Sequence, residues 1–309
     1  MTDSLWHDAT ILASKMEDTV HNKTAQDKKL LEKALPDFAA GGIVVFVHIP
    51  KTGGITIRNF FERLVEKDHS RFRKIVVSNY REWESWRWRM NKFSRGGARG
   101  KVIFFELHGG GDSLNYFSDA RSEIHRWREN ALSQNVPFFA FVILRQGVSF
   151  AMSYFHFFHN YQSYRGRAHE NRYGYHNATE QNLRMKTMFN GQCLFLCRGE
   201  QSYIKGEESL RANLTEAECN AAYNSLKRDV DWIGRTDVIS TETIKLLQRL
   251  TNTTDELSVS ANTNPQKALH FENLTKATQQ FIIQRNSWDH ELYKRAQREF
   301  PISMWKSEF

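Results

Sequence analysis

The chain of 309 residues, 40% hydrophobic, is long enough to bury one substantial core with at most a small appended lobe. Its net charge of +8 and pI near 9.3 favour an anionic partner: nucleic acid, an acidic glycan or a membrane surface. Three cysteines exclude a disulfide framework, and nowhere do the roughly 18 consecutive apolar residues of a membrane-spanning helix occur.

In chain order, the apolar run 9–14 is too short for a signal peptide, and Asp3, His7 and Asp8 interrupt its flank. Residues 16–35 read as a charged helix with sparse apolar positions. Residues 1–40 are therefore expected to form a helical stem or arm, and 41–309 the main domain. Sequons at Asn22, Asn177, Asn213, Asn252 and Asn273 hint at a secretory lumen, although no membrane anchor is encoded here.

The stretch 43–60 begins with a β-branched and aromatic run, the composition of a buried parallel strand. Pro50 ends the ladder because it lacks an N–H to donate. Lys51, Thr52, Gly53 and Gly54 make a tight loop, and 56–64 reads as a helix with Ile57, Phe60, Phe61 and Leu64 on one face. Strand, glycine loop and helix start aim backbone N–H groups and a helix dipole at one spot, and a lysine adds full charge. The order differs from the nucleotide P-loop, where lysine follows the glycines. On these residues alone, an anion site and a plain structural turn are both open.

A second strand is expected at 74–78. Residues 80–93 interleave Trp83, Trp86 and Trp88 with Arg81, Arg87 and Arg89: an amphipathic helix docking its tryptophans, with arginines left for a substrate groove. The strand 101–107 ends at His108, followed by glycines, where open α/β sheets place their ligands. A helix is expected at 118–135. The apolar strand 137–144 follows and ends in Arg145, with Ser149 a candidate helix cap and Ser153 eight residues beyond the arginine.

The aromatic run 150–161 reads as core; His156 and His159 lack a third ligand for a metal. The polar stretch 163–181 is a candidate acceptor-binding loop or linker. Among Cys193, Cys197 and Cys219 one bridge is possible, leaving one thiol over. Helices are expected at 215–228, 241–250 and 275–300, with a short strand and turn at 231–237.

His48-Ile-Pro-Lys-Thr-Gly-Gly54 with Thr56 resembles the 5′-phosphosulfate loop of Golgi-type carbohydrate sulfotransferases, especially the heparan sulfate and uronyl 2-O- and 6-O- enzymes. Ile55 stands where that family often carries a hydroxyl. Arg145 and Ser153 have the spacing of its 3′-phosphate ligands, with Arg145-Gln146-Gly147 in place of its Arg-Asp-Pro. Gly234-x-Thr236-Asp237 and Asp289-x-x-Leu292-Tyr293 resemble its later segments, and 262–267 would approach the nucleotide.

The resemblance, over about 43–300, implies an α/β fold whose central, mainly parallel sheet is flanked by helices, with a P-loop-like strand-loop-helix phosphosulfate site. It implies transfer of a sulfuryl group from 3′-phosphoadenosine 5′-phosphosulfate to a glycan hydroxyl, without a metal. Lys51, Thr52, Gly53, Gly54 and Thr56 would hold the phosphosulfate, Arg145 and Ser153 the 3′-phosphate. His108 would be the base, its imidazole titrating near neutrality. A glycan, with no nucleic acid, is the expected partner. The alternatives are a P-loop-type phosphotransferase and a non-catalytic binder of acidic glycan or nucleic acid.

Overall fold

The computed structural model describes residues 34–78, 80–108, 115–165, 179–198, 215–254 and 269–305. Most of the expected N-terminal helix, the sequons at 22, 177 and 213, the glycines after His108, most of the 163–181 stretch and all of 262–267 lie outside them. The chain divides into two compact units. One runs from Pro36 to Pro301; the described part of the other, 34–35 and 302–305, contains the short turn Ile302–Met304.

The larger unit is built on one sheet of five parallel strands: β1 (Gly42–His48), β2 (Phe72–Val77), β3 (Val102–His108), β4 (Phe138–Leu144) and β5 (Trp232–Arg235). They lie in the order β2-β3-β1-β4-β5. All seven residues of β1 and of β4 are buried. Strands so apolar need cover on both faces, and parallel pairing needs crossover connections, so helices supply both. The fold is α/β with helices around a parallel sheet.

The first crossover contains α1 (Gly54–Lys67), which buries Ile57, Phe60, Phe61 and Leu64 as its spacing requires. Phe61 stacks on Phe104 of β3 with ring centroids 3.8 Å apart. Burying each such ring stabilises the fold by about 1.5–3 kcal/mol. Of the tryptophans of α2 (Tyr80–Lys92), Trp83 is fully buried, packed beside Trp127 of α3 (Asn115–Ser133), whereas Trp88 is 57% exposed. Arg89 lies over the rings of both Trp86 and Trp88. The chain leaving α2 passes through Phe93–Gly97 to enter β3 at Val102. The arginines late in α2 therefore approach the N-terminal edge of the sheet, opposite the edge that carries His48 and His108.

Between β4 and β5 lie α4 (Gly147–Arg165), α5 (Glu180–Lys186), α6 (Gly191–Arg198) and α7 (Glu216–Asp229). Cys193 of α6 and Cys219 of α7 form a disulfide, while Cys197 donates to the Glu218 carbonyl at 3.4 Å. After β5 come α8 (Ile244–Thr251), α9 (Lys276–Arg285) and α10 (Ser287–Glu299). The single helix expected over 275–300 is two, broken at Asn286. Its side chain donates to the Ile282 carbonyl at 2.7 Å and accepts the Asn190 N–H at 3.1 Å, so it bends the chain to serve a neighbour.

The chain leaves β1 toward β2 on one side of the sheet and leaves β4 toward β5 on the other. The crevice between the loops that follow β1 and β4 is thus the topological switch point, where such sheets bind their ligands.

Candidate functional site

The loop after β1 takes its shape from two residues with left-handed backbones, Lys51 at φ 69° and Gly53 at φ 97°. That conformation is ordinary for glycine and costs a lysine about 1–2 kcal/mol. The Lys51 carbonyl accepts a hydrogen bond from Arg145 Nη1 at 3.0 Å, which helps hold the unfavourable turn. Thr52 is fully buried and donates its hydroxyl to the Ile49 carbonyl at 2.7 Å, bracing the loop from within. Thr236, just past β5, brings its hydroxyl to the carbonyls of Thr52 (2.9 Å) and Leu144 (3.1 Å), tying the β1 loop to the end of β4.

Gly53 caps α1 and offers no side-chain acceptor to its first N–H groups. Gly54 is glycine for a different reason: a Cβ there would lie 1.9 Å from His48 Nε2. The glycine pair thus gives the loop its turn and gives the His48 ring its room. Thr56 is half-buried, its N–H bonded to the Gly53 carbonyl at 3.0 Å, and Ile55 is exposed.

Arg145 stands at the end of β4 and is held on all sides. Gln192, in the first turn of α6, accepts its N–H at 2.7 Å and donates to its carbonyl at 2.6 Å. Asp289 of α10, fully buried, in turn accepts the N–H groups of Gln192 (3.0 Å) and Cys193 (2.9 Å). Burial pushes the Asp289 carboxyl up to about 6 against the pull of those donors. The guanidinium Nε donates to Ser149 Oγ at 2.9 Å, so Ser149 orients Arg145 instead of capping α4. The cap is Gln146, whose Oε1 accepts the Ser149 N–H at 2.8 Å. Ser153 is half-buried one helical turn beyond Ser149.

The electrostatics of the crevice are unbalanced. Burial, and then the charge of Arg145, pull the Lys51 ammonium down to about 8. Burial also pulls Arg145 below its ordinary range. Lys51 Nζ rests over the Phe157 ring, 4.1 Å from its centroid. Among the described residues no carboxylate pairs with either cation. Two neighbouring, largely buried positive charges without a counter-ion are costly unless an anion joins them.

The second cluster lies one strand over. In the register of β1 with β3, His48 faces His108. His48 Nδ1 is 2.7 Å from Glu106 Oε1 and 2.8 Å from His108 Nδ1. Arg58 of α1 donates to Glu106 through Nε (3.0 Å) and Nη2 (2.6 Å). Burial would raise the Glu106 carboxyl, but hydrogen bonds from His48 and Arg58 outweigh it and hold the group near 2. His48 and Glu106 are buried, whereas the His108 side chain is 27% exposed. Burial first, then the neighbouring His48, hold His108 near 3, far below the near-neutral titration expected of an isolated imidazole.

His48, Glu106 and His108 are a two-histidine, one-carboxylate group close enough in space to suit a metal ion. Arg58 donates to both oxygens of Glu106, and His48 Nδ1 faces both Glu106 and His108, so these atoms already contact one another.

The structure brings together Lys51, Thr52, Gly53, Gly54 and Arg145 at the switch point, with Ser153 on the helix beyond. His108 stands at the adjacent strand end. Sequence reasoning missed Arg58, Glu106, Gln192, Asp289 and Thr236 as supports. Glu106 carried a signal, a lone carboxylate within the apolar run of β3, which is unsustainable without buried partners.

No family model matches this sequence, and no curated protein matches it. A solved structure, the crystal structure of APE1195, is similar over 36% of this chain and 62% of its own length. The identity is 17% and the TM-score 0.23, too slight a likeness to carry an argument.

Proposed function

We propose that this chain is a carbohydrate sulfotransferase that uses 3′-phosphoadenosine 5′-phosphosulfate. The observation that carries the reading is the pair of partly buried cations, Lys51 and Arg145, with no carboxylate partner among the described residues, flanking a helix N-terminus at the switch point of the sheet. A ligand with anionic groups at two ends fits that arrangement, and both residues stand in the motifs that resemble the family's.

In this reading Lys51, Gly53, Gly54 and Thr56 hold the 5′-phosphosulfate, with Thr52 bracing the loop, and Arg145 and Ser153 hold the 3′-phosphate. The cofactor supplies the activated sulfuryl group. Lys51 and the first N–H groups of α1 stabilise negative charge that moves toward the nucleotide, the work of a preorganised cradle. Arg145, its backbone fixed by Gln192 and its fork by Ser149, needs no rearrangement to pair with a phosphate. His108, neutral and partly exposed at the strand end, accepts the proton of the acceptor hydroxyl.

The test is transfer of radiolabelled sulfate from the cofactor to a panel of glycosaminoglycans and their desulfated derivatives. Label in a glycan, absent without enzyme, supports the reading. Cofactor binding without transfer to any acceptor would leave a binding protein, and no binding would discard the assignment.

A further inference from the structure

We propose that the face built from β2 and the end of α2, toward the N-terminal edge of the sheet, is a second binding site whose ligand is a sulfated or carboxylated polysaccharide. The choice of a glycan over another polyanion rests on the sulfotransferase reading; the site itself does not.

The site begins as a stack of alternating guanidinium and indole groups. The Arg73 guanidinium on β2 lies over the Trp86 ring, 5.6 Å from its centroid, and over the Phe93 ring at 5.8 Å. Arg89 lies over Trp86 at 4.4 Å and over Trp88 at 5.4 Å. Trp88 is then one wall of an open pocket of about 400 Å³, lined also by Asn91, Lys92, Arg95 and Gly97. That volume lies in the range that holds a small ligand. Backbone shapes the pocket: Gly96 has φ 101°, and a Cβ on Gly97 would lie 2.8 Å from the Lys92 carbonyl oxygen. Asn91 is held by its side-chain oxygen, which accepts from Trp127 Nε1 and Arg126 Nη2, each at 3.1 Å. Its amide nitrogen keeps its N–H donors for a ligand.

Charge decides the class of ligand. Among the described residues no carboxylate pairs with Arg73, Arg89, Lys92 or Arg95, whereas Arg87 on the same helix has Glu84 at 3.6 Å. Cations late in a helix complement its dipole, which accounts for Arg89 and Lys92. It does not account for Arg73, which comes from a strand, or for Arg95, which lies beyond the helix. Four positive charges around an exposed indole fit a polymer that alternates anionic groups with apolar ring faces. Guanidinium forks pair with sulfate or carboxylate, and Trp88, 57% exposed, takes the C–H face of a sugar ring. A single strand of nucleic acid stacks its bases on a succession of open aromatic faces. Of the three rings here only Trp88 is exposed, and two guanidinium groups already lie over Trp86.

The sheet separates this face from the crevice. Arg73 pairs in register with Ile103, and His108 ends the same strand, so roughly 16 Å of strand lies between the two levels. A single sugar unit cannot touch both. A polysaccharide held at the stack stays close to the crevice without filling it, which raises the local concentration of acceptor units.

The experiment measures binding of a fluorescently labelled heparin hexasaccharide by anisotropy at about 0.15 M salt. Three proteins are compared: the parent, the stack variant Arg73→Gln/Arg89→Gln, and the crevice variant Lys51→Met/Arg145→Ala. A desulfated hexasaccharide and a single-stranded oligonucleotide serve as further probes. Expected is about tenfold weaker binding of the hexasaccharide by the stack variant, with the crevice variant within about twofold of the parent. Desulfation should weaken the parent and shrink the difference between parent and stack variant. Should the double variant not fold, Arg95→Gln carries the test, since its side chain is exposed beyond the helix. Equal affinity in stack variant and parent, or a loss confined to the crevice variant, overturns the site. An oligonucleotide that binds the parent as tightly as the hexasaccharide, and is lost with the same arginines, overturns the choice of a glycan. A parent that transfers no sulfate yet binds the hexasaccharide through the stack removes the sulfotransferase reading and leaves the site standing. Transfer by a parent whose binding ignores the stack does the reverse.

Discussion

If the proposed function holds, the Lys51 ammonium should make nucleotide affinity depend on pH, with a sign that follows from its surroundings. In the free protein burial and Arg145 hold this group near 8, against an ordinary 10.5. A bound phosphate or sulfonate beside it favours the charged form and raises it again. The sign follows. Below about pH 7 the ammonium is already charged and affinity is flat. Above 8 the free protein loses its proton, so binding must restore one, and affinity falls about tenfold per pH unit. If the complex regains the ordinary value, the fall levels off after about 2.5 pH units, a loss of about 300-fold or ~3.4 kcal/mol. That is an upper limit, because Lys51 keeps some contact with water. The assay is calorimetric titration with adenosine 3′,5′-bisphosphate between pH 7 and 10.5, repeated in buffers of different ionisation enthalpy to count protons taken up. Lys51→Met should abolish the dependence, and Arg145→Ala should shift it to higher pH by removing the neighbouring charge. Flat affinity from pH 7 to 10, or the same slope in Lys51→Met, would refute the reasoning.

Arg145→Ala should weaken adenosine 3′,5′-bisphosphate by about 2–4 kcal/mol by deleting a charge-assisted phosphate pair; equal affinity for variant and parent in calorimetry would remove the cofactor assignment. His108→Ala should lower turnover about 10²–10⁴-fold while nucleotide binding and melting temperature hold, as single-turnover assays and thermal melts would show. Transfer should persist in excess EDTA, since cations of the chain itself line the crevice and Glu106 is committed to Arg58; complete, magnesium-reversible loss would favour a phosphotransferase. Gly54→Ala should cost well over 1 kcal/mol in denaturant melts, because the new methyl falls inside the His48 ring; unchanged stability would mean that the ring has another place to go.

What was legible beforehand followed from local chemistry. The runs that became β1 and β4 contain hardly a polar atom, so they could only be buried strands, and Pro50 with two glycines marked where the first must stop. The face of α1 was readable from the spacing of its apolar residues. What was not legible depends on partners far along the chain. Trp83 and Trp88 look alike in sequence, yet one packs beside Trp127 and the other faces water. Glu106 read as part of an apolar strand because Arg58 and His48 meet it only once α1 and β1 are in place. Gln192 and Asp289 support Arg145 across 47 and then 97 residues of sequence, and no local pattern announces that relation. The break at Asn286 was hidden for the same reason, since its partner Asn190 lies 96 residues upstream.

The bracing of the crevice by Thr236, Gln192 and Asp289 also has a consequence in time. Lys51, His108, Arg145 and Ser153 all precede, in order of synthesis, the residues that fix their spacing. Thr236 stitches the two loops together from 184 residues beyond Thr52, and Asp289 reaches the Arg145 clamp from 97 residues beyond Gln192. Contacts of such long sequence separation form late, after the loop-closure entropy of the whole chain has been overcome. A nascent chain stalled before α10 would therefore hold every anion ligand and still lack the site. If the proposed function holds, nucleotide capture by stalled chains of graded length should turn on only when Asp289 has cleared the exit tunnel, making ligand binding a reporter of the docking of α10.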